Sequence, residues 1–120
     1  MPSGSRDLRL FVEDMLDSAS TVIEWTRELE AEQFFADRKT YDAVLRNLTV
    51  MGEAAKQVPG EVRDAFPDVP WRAIAGFRDL AMHSYFGLSR HIVWSIVSET
   101  LPTLVGPLSA VLRELPEGDS

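Results

Sequence analysis

The chain contains no cysteine and only two histidines, His83 and His91. Disulfides and thiolate metal sites are thereby excluded, and a histidine-rich metal centre cannot be assembled. Positive charge is also scarce: 12 basic side chains against 19 acidic ones give a net charge of −7 over 120 residues. Over the whole chain this balance argues against general nucleic-acid binding, which depends on cations meeting phosphates. No run approaches the roughly 20 apolar residues of a membrane span. The opening "MPSGSRDLRL" lacks the apolar stretch of a signal peptide. The expectation is a cytoplasmic protein with no membrane association and no bound cofactor.

Hydrophobic residues make up 45% of the chain, a globular composition rather than a disordered one. A chain of this length forms one domain with one modest core, expected over residues 6–115, with flexible ends at 1–5 and 116–120. Apolar residues recur at Leu8, Val12, Met15, Ala19, Val22, Thr26 and Leu29. Steps of four and three predict an amphipathic helix from Arg6 to about Ala31. "AEQFFADR" breaks this pattern, and Asp37 or Thr40 can cap a second helix over about Asp37–Val58. Gly52 falls inside that helix at a cost of about 1 kcal/mol relative to alanine, which points to close approach of another backbone.

"VPGEVRDAFPDVP" leaves room for one helical turn at Glu61–Phe66. Asp68 can cap a third helix with Pro70 in its first turn, carrying Trp71, Ile74, Phe77 and Ala81 inward. Gly87 is expected to end it in a left-handed conformation. Ser89 can cap a last helical region running to Leu115, which Pro102 and Pro107 should kink or divide. With no convincing strand or repeat, the fold class is all-α: a compact up-and-down bundle of about four to five helices.

Charge is unevenly placed. Between Val69 and Ser98, Arg72, Arg78 and Arg90 face a single acid, Asp79, giving a local charge of +2 and leaving −9 for the remainder. Both histidines fall in this window, where a phosphate is best tolerated. Within it, "RDLAMHSYFG" places Arg78, His83 and Tyr85 close together. Arginine offers a permanent planar cation for phosphate oxygens, and histidine moves protons near neutral pH. Cleavage of RNA by its own 2′-hydroxyl needs a base for that hydroxyl and a cation for the charge gathering on phosphorus. The bland alternative is a helix end with ordinary surface polar residues. On one helix, Arg78 and His83 point about 140° apart and lie about 7.5 Å apart along the axis. A long arginine arm, a helix loosened near His83, or a twofold dimer would each bridge that gap. Tyr85 is nearly in register with Arg78 and offers a phenol for hydrogen bonding, stacking or covalent modification. Asp79 can orient a side chain of the site or pair with Arg72 or Lys56. Glu53 either orients Arg78 from the facing helix or is solvated. His91 reads as an exposed first-turn residue, and Trp71, Trp94 and Phe86 as core or dimer contacts.

"YDAVLRNLTVMGEAAKQV" followed by "PDVPWRAIAGFRDLAMHSYFGLSRHIVWSIV" resembles the HepT family of HEPN-domain toxins, over about Arg6 to Leu115. The family signature, an arginine, four residues, a histidine, any residue and a tyrosine, is met by Arg78, His83 and Tyr85. Asp79 meets the preference for a polar residue after the arginine. The resemblance implies a helical homodimer acting as a metal-independent ribonuclease toxin of a type VII toxin–antitoxin system, with Arg78 and His83 catalytic at the dimer cleft. It further implies neutralisation by an MntA-type nucleotidyltransferase antitoxin that transfers AMP to Tyr85. The competing reading is a non-catalytic helical subunit that binds substrate for a nucleotidyltransferase complex.

Overall fold

The computed structural model describes residues 3–115, with side chains from Asp7 onward. Among them there is no strand, as the sequence predicts. The helices are α1 (Ser3–Thr26), α2 (Ala31–Ala36), α3 (Arg38–Lys56), α4 (Gly60–Ala65), α5 (Trp71–Ala75), α6 (Phe77–Tyr85), α7 (Arg90–Ser95) and α8 (Leu101–Glu114), with a π turn at Ile96–Thr100 between the last two. The bundle is built on α1, α3 and α8, and α3 also carries α5 and α6 on its flank. The stripe predicted for α1 is buried at Val12, Met15, Ala19 and Val22, and it packs with Val44, Leu48 and Met51 of α3 and Leu101, Leu104, Leu108 and Val111 of α8 in one core. α1 begins at Ser3, ahead of the expected Arg6. The expectation of flexible ends at residues 1–2 and 116–120 lies outside the described residues.

Several boundaries differ from the periodicity, each for a local reason. α1 stops at Thr26, short of Ala31. The Thr26 hydroxyl donates to the Val22 carbonyl, and the Leu29 N–H closes a turn on the Thr26 carbonyl. The supposed break at "AEQFFA" is instead α2, whose start is fixed by the Gln33 side chain accepting from the Glu30 N–H at 2.8 Å. This short helix drops Phe34 fully into the core, its ring centroid 5.4 Å from that of Tyr41 and 5.2 Å from that of Trp94. Of the two candidate caps of α3, Asp37 holds the position and accepts from the Thr40 N–H at 3.2 Å and its hydroxyl at 2.8 Å. These bonds hold the Asp37 carboxyl below its usual range, the side-chain bond from Thr40 contributing most.

The expected third helix is two. Asp68 does not cap it. Pro70 instead sits at the N-cap, at φ −79° and ψ 72°, in an inverse γ-turn where the Trp71 N–H donates to the Val69 carbonyl at 2.8 Å. Gly76 then separates α5 from α6, its N–H shared between the Arg72 and Ala73 carbonyls. The inward residues Trp71, Ile74, Phe77 and Ala81 are all buried as predicted. In the last helical region, the division lies ahead of Pro102. Leu101 donates to the Ile96 carbonyl, five residues back, a widened turn that relieves the clash of a proline ring with the preceding turn. Pro107 is accommodated within α8. Contrary to the sequence expectation, Arg90–Glu114 is long and apolar enough to pass as a membrane span by length and composition. Its inward stripe is nonetheless core, buried largely against α1.

Candidate active site

The site is assembled on α6, whose close approach to α3 depends on Gly52. Gly52 is buried, and a Cβ placed there would lie 2.7 Å from the Arg78 backbone nitrogen and 2.9 Å from the Arg78 Cβ. No other residue type lets the two backbones come this close. The next residue of α3, Glu53, forms an ion pair with Nε of Arg78. Both partners are partly exposed, Arg78 at 42% and Glu53 at 49%, so the pair adds little to stability. What it does is aim the guanidinium. Asp79 stands 3.8 Å from Nη1 of Arg78, adding a second, looser carboxylate; it pairs with neither Arg72 nor Lys56. Glu53 thus pairs with Arg78 from the facing helix while staying half exposed.

His83 lies on the exposed side of α6, and Tyr85, at its last turn, is 60% exposed. The helix stays regular from Phe77 to Tyr85, so the loosening near His83 considered from the sequence does not occur. Arg78 and Tyr85 therefore share a face, about 10.5 Å apart along the axis, while His83 points about 140° away from Arg78. With Arg78 drawn toward α3 by Glu53, the chain presents both groups to solvent on different sides of α6.

The end of α6 is tightly specified. Gly87 has φ +88°, the left-handed geometry expected of it. The Leu88 N–H bonds to the His83 carbonyl at 3.1 Å and the Gly87 N–H to the Ser84 carbonyl at 3.0 Å, a Schellman closure. Ser84 is buried and its carbonyl also accepts from the Tyr41 hydroxyl at 3.2 Å. Tyr41 thus ties α3 to the turn that follows His83 and Tyr85. Ser89 takes the expected N-cap place before α7, but at φ +61° and without a side-chain bond. Around this turn large apolar side chains are exposed: Met82, Phe86, Leu88 and Ile92, with Phe86 at 75%. Phe86 is thus no core residue. His91 is exposed as expected, and Trp94 is half-buried against Phe34.

Among the described residues no group of three or more histidines or carboxylates is placed to hold a metal ion. The side chains gathered on α6 are a cation, an imidazole and a phenol, which suits handling of a phosphodiester. Comparison with known proteins points the same way. A family model described as "Ribonuclease HepT-like" matches residues 15–111, a span that contains Gly52, Glu53 and the whole of α6. A protein of Thermococcus cleftensis named "Probable ribonuclease HepT" is 38% identical over 80% of this chain and 87% of its own. Two proteins of Methanocaldococcus jannaschii, whose names provisionally assign them as RNases, are 34% identical over 95% of this chain and 93% of theirs, and 36% identical over 82% and 91%. No solved structure matches significantly. On these matches, the chain belongs to the HepT-like ribonuclease family of the HEPN superfamily.

Proposed function

We propose that this protein is a metal-independent endoribonuclease toxin, acting as a twofold dimer whose cleft is lined by Arg78 and His83 of both copies. The observation that carries this reading is the held but exposed guanidinium of Arg78 on the helix that also presents His83, in a chain of a ribonuclease family. The 140° between the two side chains is the reason for the second copy. A twofold axis beside α6 brings an arginine of one protomer toward the histidine of the other, and doubles the local positive charge that the acidic chain otherwise lacks. The exposed apolar residues Met82, Phe86, Leu88 and Ile92 supply the surface such a pairing would bury.

In this cleft a neutral His83 imidazole takes the proton of a ribose 2′-hydroxyl, and the oxygen attacks the adjacent phosphorus. Arg78 holds the phosphate oxygens as negative charge grows on them. The P–O5′ bond breaks, the leaving oxygen receives a proton from an imidazolium, and the products are a 2′,3′-cyclic phosphate and a 5′-hydroxyl. General base catalysis contributes about 10²–10⁴-fold to such a step. Asp79 supports the arginine. Tyr85, exposed beside the cleft, is the acceptor for AMP transferred by an MntA-type nucleotidyltransferase antitoxin. The added phosphate and nucleoside bring negative charge and bulk to the place where RNA phosphate must lie.

The test is cleavage of RNA by purified wild type, Arg78→Ala and His83→Ala, with mass and thermal stability measured in parallel. Both variants should lose at least about 10²-fold in rate while remaining folded dimers. Equal cleavage by all three would identify a contaminant and remove the enzymatic reading. Incubation with ATP and the cognate transferase should add one or more AMP units to wild type and none to Tyr85→Phe; a wild type whose mass stays constant would discard that mode of neutralisation.

A further inference from the structure

Beside Tyr85 lies a pocket of about 330 Å³ whose walls include Phe35, Arg38, Tyr41, Ser84, Tyr85 and Arg90. We propose that it is a nucleotide subsite for the RNA substrate, holding a residue next to the cleaved bond with its phosphate on Arg90 and its base against Tyr85. This rests on the ribonuclease reading above and adds to it a binding residue outside the Arg78–His83 pair.

Arg90 is the centre of the argument. Its guanidinium lies 4.8 Å from the ring centroid of Phe35 and 5.2 Å from that of Tyr41. Nη2 donates to the Phe35 carbonyl at 3.2 Å. The two rings and the carbonyl fix the plane of the guanidinium, so little freedom is lost when a ligand arrives. Among the described residues no carboxylate lies within ion-pairing distance of it. Its remaining N–H groups are therefore available to an anion. The other cation on the wall is already matched: Nε of Arg38 bonds to both Asp42 carboxylate oxygens at 3.2 Å. The pocket thus keeps one uncompensated positive charge in a chain of net charge −7.

Two further features suit a nucleotide rather than a simple anion. Tyr85 exposes its ring at the pocket margin, tilted against Phe86 with centroids 5.3 Å apart, a surface on which a base can stack whatever its identity. The volume is at the small end of ligand pockets, which fits one nucleotide and not a folded segment of RNA. Its place along α6 also fits. Tyr85 is two turns from Arg78 on the same face, so a strand with its scissile phosphate at Arg78 runs directly toward the pocket.

Two measurements test this. In the first, wild type is titrated with AMP and with adenosine while the amide signals of Tyr85, Gly87 and Arg90 and the Arg90 side-chain Nε–H signal are followed by NMR. AMP should shift this set and adenosine should shift it far less. No shift with AMP, or equal shifts with both, overturns the assignment without depending on any variant folding. In the second, RNA cleavage is measured for wild type, Arg90→Lys and Arg90→Gln across a salt series. Arg90→Gln should raise KM about tenfold, leave kcat nearly intact and lower the salt slope by about one; Arg90→Lys should fall between. A drop confined to kcat, or kinetics equal to wild type, would show that Arg90 does not hold substrate. Wild type that cleaves no RNA, with AMP still shifting the pocket signals, would remove the ribonuclease reading and its RNA subsite together, leaving only a mononucleotide site.

Discussion

α3 and α6 meet in two quite different ways along one interface. At the Gly52–Arg78 end there is no side chain between them, and backbone rests on backbone. Toward the other end the contact runs through a side chain, the Tyr41 hydroxyl donating to the Ser84 carbonyl at 3.2 Å. The closed end fixes where the arginine stands and leaves no space for anything else. The open end makes space, and Phe35, Arg90 and Tyr85 line it. One helix pair therefore serves two needs that a uniform contact could not: rigid placement of a cation at one end, and room for a ligand at the other.

The largest effect should come from filling the closed end. In Gly52→Ala the added methyl meets Arg78 backbone at 2.7 Å and the Ala75 carbonyl at 3.1 Å, neither of which yields as a flexible side chain would. Overpacking of this kind costs about 1–3 kcal/mol, partly offset by the roughly 1 kcal/mol by which alanine favours a helix over glycine. Denaturant unfolding should show a net loss of stability, and RNA cleavage should fall by more than stability does, because α6 moves away from Glu53 and carries Arg78 with it. A variant as stable and as active as wild type would mean that the close approach is incidental.

A smaller and opposite response is expected at the exposed end of α6. Phe86 is 75% exposed in the single chain and contributes little buried area to the fold there. Phe86→Ser should leave the fold of the chain unchanged, while light scattering at falling protein concentration should show the proposed dimer dissociating sooner than in wild type. An unchanged dimer would place the twofold axis elsewhere on the molecule.

The sequence revealed the parts of this comparison that depend on spacing and hid those that depend on three-dimensional competition. Gly52 was legible because a glycine inside an apolar helical stripe has few other uses, and Gly87 because a helix followed by glycine usually turns left-handed. Arg78, His83 and Tyr85 were legible as residue types at fixed intervals. The end of α1 was not, since Thr26 and Leu29 continue the stripe and only the burial of Phe34 decides that the chain should turn first. The division at Gly76 escaped for the same reason: every inward residue from Trp71 to Ala81 stays inward across it. Arg90 was counted only as charge. Its stacking on Phe35 and Tyr41 joins residues 55 and 49 positions apart, and no local pattern announces such a contact.

The smallest effect concerns the start of α3, where Asp37 holds the helix that both ends of the interface share. Thr40 bonds to the ionised carboxylate and lowers its pKa, so the native state favours the charged form more than the unfolded chain does. The stabilisation is complete above the unfolded carboxylate's pKa and disappears as pH falls through the lower native value. Asparagine caps nearly as well but cannot ionise, which makes Asp37→Asn the useful control. Thermal melts of both proteins should differ most near neutral pH, by a few degrees at most, and should converge in acid. Because every other carboxylate titrates identically in the two, a gap that persists unchanged into acid would show that the hydrogen bonds at Asp37 do not depend on its charge.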